Sequence, residues 1–421
     1  MVFPSSVIRR LAPSEEWYAQ SMTFGAITLD LTGQFDTAAM SVAFDALLES
    51  HPTLAGHLEK ASDGRHQIVT DDLLHPGIWL ASPESTETEL DPGLSLANLK
   101  VRPVGGRTEV TLYVHHSLAD GHHQAALLFE LFSRYTDVVT TGSPGQVSAE
   151  PAPEPLEALL ESRGIIKNPR SGLERFMPAM FAYELPPPRL GERLPNPTKP
   201  VPAPTARGRL TDEETTALVD FGRTHRLFLN PLVSAAVLLA EWRLRESPEI
   251  PIPYVYVVDL RMLLDPPVSA MEATDPLGMA TYLAHIDSKT TLVELARDVA
   301  ENLQVDVSEG VVQTSMLHFK PQYDDGPRGL PDVVSSTNLG RTPPLRTPPE
   351  LHVSDWRTTI FRASRVVDMY TVGIFGMHLA VEHHSYAPQS QQSVDLVLSI
   401  LRDAAREHQR REASSATGPN A

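Results

Sequence analysis

The chain has 421 residues, 41% of them hydrophobic, with a formal net charge of −18 and no cysteine. The length exceeds what one core fills, roughly 250–300 residues, so two or three domains with packed cores are expected and global disorder is not. Without cysteine there are no disulfides, thiolate metal sites or cysteine nucleophile; the acidic balance argues against nucleic acid; and no run of 18 apolar residues offers a transmembrane helix.

The start, Met-Val-Phe-Pro-Ser-Ser-Val-Ile-Arg-Arg, lacks the basic-then-apolar pattern of a secretion signal, and a cytoplasmic protein is expected. Ala26 to Thr32 alternates as a strand. Asp36 is placed to cap a helix running to Ser50, with Met40, Phe44, Leu47 and Leu48 on its buried side. Short strands are predicted at His66–Thr70 and Leu94–Arg102, with an exposed acidic loop, 82–91, between them. Glu109 to His115 follows the period-2 pattern of a half-buried strand. A helix from Gly121 to about Tyr135 then carries Leu128, Phe132 and Tyr135 on one face.

Of the 37 prolines, 19 fall in three stretches, 143–155, 186–204 and 321–349. Proline stiffens the backbone and cannot donate a ladder hydrogen bond. The middle stretch therefore marks the expected boundary: residues 1–185, a linker at 186–205, and residues 206–421. A short helical region, Ser171–Glu184, precedes it. Beyond it, Thr211 and Glu214 fit a capping box. Asn230 is expected to cap a helix, Pro231 to Arg245, that is apolar nearly all round and hence deeply buried. A strand at Ile252–Val258, a helix at Thr291–Leu303, a hairpin over 366–383 turning at Phe375-Gly376, and a last helix from Ser390 to about Glu407 complete the chain.

The chemistry concentrates at His115-His116-Ser117-Leu118-Ala119-Asp120-Gly121, where the strand ends and the helix begins. Successive strand side chains point to opposite faces, so one histidine at most faces a given cleft. His116, at the strand end, is the one able to reach an opening, and its imidazole suits proton transfer at neutral pH. Two other readings stay open: a strand terminus without chemistry, and a metal site built from His115, His116, Asp120, His122 and His123. Alternating directions and the lack of a His-x-x-x-His helix count against the metal. The motif has an echo: Leu379 to Ser385 also ends in His-His-Ser, at His383-His384-Ser385, but without the Asp and Gly. That pattern would suit a duplicated fold with one active centre.

His-His-x-x-x-Asp-Gly resembles the signature of the superfamily that includes chloramphenicol acetyltransferase, peptide-synthetase condensation domains and plant acyl-CoA transferases. The helix 43–50 ending in His51-Pro52, Val258-Asp259-Leu260-Arg261, and Ser336-Thr337-Asn338-Leu339-Gly340 follow in family order. Asp120-Gly121-His122-His123, Glu130 to Asp137 and Ile252 to Tyr256 are similar to the mycobacterial polyketide-associated acyltransferases, over nearly the whole chain. Two departures stand out. Ala55-Gly56 replaces an arginine frequent in condensation domains, and the plant Asp-Phe-Gly-Trp-Gly motif is absent.

The resemblance implies an α/β (two-layer α+β) fold of two chloramphenicol-acetyltransferase-like domains with the active site in a tunnel between them. It implies His116 as general base, with His115, Asp120 and Gly121 as scaffold and Arg261 as the partner of Asp120. Ser336, Thr337 and Asn338 become candidates for oxyanion donors in the tunnel. The implied reaction moves long-chain or methyl-branched acyl groups to alcohol or diol hydroxyls, giving a wax ester. The donor would be a thioester of a polyketide-synthase acyl carrier protein domain, or acyl-CoA. No cofactor, metal or covalent acyl-enzyme is implied, and the protein would be a monomer. Arg163–Arg175, or Arg357, Arg362 and Arg365, are the basic patches able to meet an acidic carrier. An amide-forming condensation enzyme and a non-catalytic carrier-binding protein are the alternatives.

Overall fold

The computed structural model describes residues 6–70, 75–85, 88–184, 197–318, 332–364 and 367–416. In chain order the first part comprises β1 (Ser6–Arg10), α1 (Pro13–Gln20), β2 (Phe24–Gly33), α2 (Thr37–Ser50), β3 (His57–Lys60), β4 (His66–Thr70), β5 (Ile78–Leu80), β6 (Ala97–Val104), β7 (Arg107–His115), α3 (Gly121–Thr141), α4 (Leu156–Ser162) and α5 (Met177–Ala182). Then follow β8 (Val201–Pro202), β9 (Thr205–Arg209), α6 (Asp212–His225), α7 (Leu229–Leu244), β10 (Ile252–Asp259), β11 (Leu277–Ala284), α8 (Leu292–Ser308) and α9 (Val311–Thr314). β12 (Val334–Thr342), β13 (Leu351–Arg362), β14 (Asp368–Phe375), β15 (His378–Ser385) and α10 (Ser390–Ala416) close the chain.

Two six-stranded mixed sheets organise these elements, in the orders β5-β6-β7-β2-β13-β8 and β11-β10-β12-β14-β15-β9. A small sheet, β1-β4-β3, flanks the first. Each large sheet has its own core. In the first, Phe44 and Leu47 of α2 and Leu127, Leu128, Leu131 and Phe132 of α3 pack on Ile27, Leu29 and Leu31 of β2. In the second, α7 contributes Leu232 and the unbroken run Ala235 to Ala240, matching its all-round apolar sequence. The expected α/β architecture is therefore present.

The cores do not divide at the proline-rich linker, of which residues 186–196 lie outside the described residues. Leu156, Leu159 and Leu160 of α4 are buried in the second core. In return, β13 leaves the second half and pairs antiparallel with β2 in the first sheet, from Leu351↔Gly33 to Phe361↔Phe24. Phe24 in turn pairs with His115, so β13 ends in the row that carries the first motif histidine.

α3 is seated by one polar contact as well as its apolar face. Gln124 Nε2 donates to Gly25 O (2.9 Å) and Leu112 O (2.8 Å), linking α3 to both central strands. A Cβ on Gly25 would lie 2.7 Å from Gln124 Oε1, so a larger residue there would push against the seated amide.

Some expectations need correction. Asn230 does not cap α7: the helix starts at Leu229 after Phe228, and the Asn230 amide oxygen is taken by Asn338. The region 171–184 is a 3₁₀ turn, Leu173–Phe176, followed by α5 rather than one helix. The segment 82–91 is not wholly exposed, since Leu90 is buried beside Phe24, Ala26, Tyr113 and Phe361. The last helix runs past Glu407 to Ala416. The third proline-rich stretch contains β12, whose first residues pair in parallel with β10 and so override the local composition.

Leu238 is fully buried in the second core. Leu238→Ala should cost about 2–5 kcal/mol, read as a lower urea midpoint; an unchanged midpoint would contradict the packing described.

Candidate active site

β7 ends at His115, and α3 begins at Gly121. Asp120 caps α3: its Oδ1 accepts the His123 backbone N–H at 2.8 Å. The same carboxylate is gripped by Arg261, with Arg261 Nη1 2.6 Å from Oδ2 and Nη2 3.0 Å from Oδ1. Both side chains are nearly sealed from solvent, at 1% and 5% exposure. Arg261 also donates to Asp259 Oδ1 (3.1 Å) and to Ala270 O (3.0 Å), so its guanidinium is fixed from several sides. The expected Asp120–Arg261 pairing is thus observed.

Arg261 follows β10, so this ion pair joins the two sheets. Neighbouring contacts extend the junction. The Asp120 N–H donates to Thr274 O (2.9 Å), and His123 Nδ1 lies 3.1 Å from Ala273 O. Thr274 Oγ1 donates to Glu15 Oε1 on α1 (2.9 Å), and Arg9 holds both oxygens of Glu15. Gly121 faces β12: a Cβ there would lie 2.6 Å from Leu339 Cδ2. That close approach brings the 336–340 stretch against the start of α3.

The two adjacent histidines have opposite environments. His115 is fully buried, set edge-on to Phe24 at 4.9 Å between ring centroids. Its Nδ1 receives the Ser117 N–H (3.3 Å) and lies 2.8 Å from Ser117 Oγ. Burial, then the neighbouring His116, drives its pKa down to about 3, so it is neutral at physiological pH. His116 leaves the strand, its N–H donating to Thr23 O at 2.8 Å, and its side chain is 25% exposed. Its ring stacks on Tyr18 of α1, with centroids 4.3 Å apart and planes 18° from parallel. Its Nδ1 lies 3.6 Å from Oδ2 of buried Asp275, in the loop before β11. Burial pulls the His116 pKa down, but the carboxylates of Asp275 and Asp120 outweigh it and leave the pKa above the ordinary histidine value.

Tyr18 and Asp275 are absent from the residues singled out in the sequence. A helix signal was present for Tyr18, because Pro13 at the first turn followed by Glu15 and Glu16 marks α1. Nothing local marks Asp275, which meets His116 through a loop of the other half.

The candidate oxyanion residues separate by strand parity. Ser336 is buried and its hydroxyl lies 2.6 Å from Tyr254 Oη, which also donates to Ser234 on α7. Asn338, on the same face, donates to Asn230 and accepts the Gly340 N–H. Thr337 has the parity of Leu339, the residue against Gly121, and is half-buried. Of the three, Thr337 is therefore the one on the Leu339 side of β12.

The five polar groups of the candidate metal site diverge. His115 goes to Ser117, His116 toward Asp275, His122 to Asp259 (3.1 Å), His123 to Ala273 O, and Asp120 to Arg261. The second His-His-Ser is sealed. His384 places Nδ1 2.9 Å from Thr205 and Nε2 3.1 Å from Thr371, with burial lowering its pKa to about 3. His383 Nε2 lies 2.6 Å from Asp368, and its ring stacks on Tyr370 at 4.0 Å.

Both basic patches are largely engaged. Arg175 is paired with buried Asp306, Arg170 with Glu309, and Lys167 donates to Leu317 O. Arg357 bridges Asp30 and Glu109, Arg362 donates to Thr23 Oγ1, and Arg365 lies outside the described residues.

Residues 199–384 match the family model described as the phthiocerol/phthiodiolone dimycocerosyl transferase C-terminus. A phthiocerol/phthiodiolone dimycocerosyl transferase of Mycobacterium sp. (strain JLS) is 54% identical over 413 residues, covering 97% of this chain and 100% of its own. The solved structure of polyketide synthase associated protein 5 from Mycobacterium tuberculosis superposes with a TM-score of 0.87 at 44% identity, over 96% of this chain and 100% of that one. A trichothecene 15-O-acetyltransferase from Fusarium sporotrichioides shares the fold, with a TM-score of 0.70 at 12% identity over 94% of each chain.

Two expectations follow from the geometry. Arg261→Ala leaves the buried Asp120 carboxylate without its counter-charge and should cost about 3–5 kcal/mol, seen as a lower denaturation midpoint; a midpoint at the wild-type value would contradict it. The second concerns pH. His115, His123 and His384 have pKa values lowered to about 3, about 4 and about 3. Their unfolded forms titrate near roughly 6.5, so below that pH the unfolded chain binds protons that the folded one refuses. Their contribution to stability is complete above the unfolded value and is lost as pH falls below it. The raised pKa values of His116 and His122 act in the opposite sense, but from fewer groups. The melting temperature should therefore drop between pH 7 and pH 5, and a constant or rising value would contradict this balance.

Proposed function

The chain belongs to the phthiocerol/phthiodiolone dimycocerosyl transferase family, and from that premise we propose that His116 is the general base of an O-acyl transfer in polyketide-lipid synthesis. The enzyme is an acyltransferase. Its donor, in this reading, is a long-chain or methyl-branched acyl thioester on a polyketide-synthase carrier domain or on CoA. Its acceptor is a lipid alcohol or diol of the phthiocerol type, and the product is a wax ester. Residues 1–185 and 206–421 act as the two halves, exchanging α4 and β13. The reaction is assigned to the cytoplasm; among the described residues no single helix is long and apolar enough to cross a membrane.

The observation that carries the assignment is the contrast within the histidine pair. His115 is sealed and neutral, whereas His116 is partly exposed at the junction of the halves with its pKa raised. An imidazole whose affinity for a proton is raised by neighbouring carboxylates is a stronger base for proton transfer. His116 Nε2 takes the proton of the acceptor hydroxyl. The alkoxide oxygen bonds to the thioester carbonyl carbon, and the carbonyl electrons move onto oxygen. Thr337 is the proposed hydroxyl donor to that oxyanion; Ser336 is committed to Tyr254. The tetrahedral intermediate then re-forms the carbonyl, the carbon–sulfur bond breaks, and the leaving thiolate takes the proton back from His116. No bond forms between acyl group and protein at any stage. Asp120 and Arg261 hold the motif without touching the reacting atoms.

His116→Ala should lower the turnover number by about 10²–10⁴-fold with an unchanged melting temperature, measured as thiol release from an acyl thioester in the presence of a long-chain diol. Substantial remaining transfer would refute His116 as the base, and equal rates with a matched amine would refute the preference for oxygen acceptors.

A further inference from the structure

Resting on His116 as the base, we infer that Asp275 and Tyr18 are its positioning residues: Asp275 takes the Nδ1 proton of His116, and Tyr18 holds the ring plane, so that Nε2 is the nitrogen offered to the acceptor hydroxyl. A neutral imidazole carries its proton on one nitrogen and its lone pair on the other. To act as a base through Nε2, His116 must keep its proton on Nδ1, and a buried Nδ1–H needs an acceptor.

The acceptor is in place. His116 Nδ1 and Asp275 Oδ1 are both buried polar atoms without a full hydrogen bond to another described residue, the carbonyl of His116 itself being the further acceptor beside Nδ1. They belong to side chains already facing each other, with Nδ1 3.6 Å from Oδ2. A few tenths of an ångström of closure makes the hydrogen bond, and bonds of this kind commonly tighten when substrate fills the site. Asp275 is itself located by its neighbours, since Thr274 accepts the Asp120 N–H through its carbonyl and donates to Glu15 through its hydroxyl.

Tyr18 supplies the second constraint. It stacks nearly parallel on His116, which fixes rotation of the ring about its long axis. Burial and the Asp275 carboxylate push its hydroxyl well above the usual tyrosine range, so it stays neutral and adds no charge. The charged and titratable groups that bear on His116 are Asp275 from the loop before β11, Asp120 with its partner Arg261, and neighbouring His115; Arg362, from the end of β13, bears on Tyr18. Of these Asp275 is the carboxylate not already paired with an arginine.

The second His-His-Ser provides an internal contrast. His384 occupies the place equivalent to His116, but both of its nitrogens are engaged by threonine hydroxyls and neither faces a carboxylate. It keeps no free lone pair for a substrate. What distinguishes His116 is one nitrogen facing Asp275 and the other left open.

The test follows the ring nitrogens of His116 by NMR in protein labelled with ring-¹⁵N histidine, the signal being assigned by its loss in His116→Ala. In the wild type, neutral His116 should carry its proton on Nδ1. In Asp275→Asn, its titration should move to lower pH by about 1 unit or more, as expected on losing an opposite charge at this range. The acid limb of kcat/KM should move with it, and kcat should fall about tenfold or more while KM holds. A wild-type His116 protonated on Nε2 would overturn the inference, and that result does not depend on the variant folding. A folded Asp275→Asn protein with an unmoved His116 titration would overturn it as well. Neither readout requires acyl transfer, so they separate this inference from the assignment of His116, which fails if His116→Ala keeps transferring.

Discussion

The site depends on one buried ion pair. Asp120 and Arg261 lie 141 residues apart in sequence and on opposite halves, yet they meet through two hydrogen bonds in a region closed to water. Burying two charges is costly, and the cost is offset only where geometry is good and further hydrogen bonds satisfy most of the remaining polar atoms. Here Asp120 also accepts the His123 N–H, and the two Arg261 Nη atoms reach Asp259 and Ala270 O, leaving Nε as the guanidinium nitrogen without a partner among the described residues. The carboxylate thus ends the β7 loop, starts α3 and docks the second half in a single geometry. The hydrogen bonds of Thr274 and Ala273 follow from that registration, and they place Asp275 beside His116. An ion pair that does not touch the imidazole in this way sets where His116 stands.

The two halves repeat one local plan. β7 leads through His-His-Ser into α3, and β15 leads through His-His-Ser into α10. Only the first copy has the Asp and Gly, and the consequences are physical. Asp120 caps its helix and recruits Arg261, and Gly121 leaves room for Leu339. In the second copy Thr205, Thr371 and Asp368 close around the histidines. The echo that looked slight in sequence is a repeated strand–loop–helix corner in the fold. Exchange of α4 and β13 between the cores then makes the halves interdependent rather than merely adjacent.

Much of this was legible from the residues alone, for identifiable reasons. The strand-to-helix corner at His115–Gly121, the Thr211–Glu214 capping box, the Asp36 cap and the apolar α7 are local patterns, and each is present in the fold. Arg261 was found through resemblance and lies where expected. What was hidden depends on contacts distant in sequence. β13 has prolines just before it and pairs with a strand more than 300 residues earlier. Asp275 sits in a loop with no periodicity, and its meaning comes only from the imidazole opposite. Asn230 looked like a cap because its type and the following proline fit, but its amide serves β12 instead. The basic patches look able to meet an acidic carrier from their composition, whereas in the fold Arg175 and Arg357 pair with buried or half-buried carboxylates.

The central claim is direct transfer, with His116 moving a proton and the protein never carrying the acyl group. Its most direct measurement is the intact mass of the protein after incubation with a long-chain acyl thioester, first without and then with a lipid diol. The account predicts an unchanged protein mass in both conditions, with ester and free thiol accumulating once the diol is added. A protein heavier by one acyl group before the diol, and returning to its original mass as the ester forms, would contradict it.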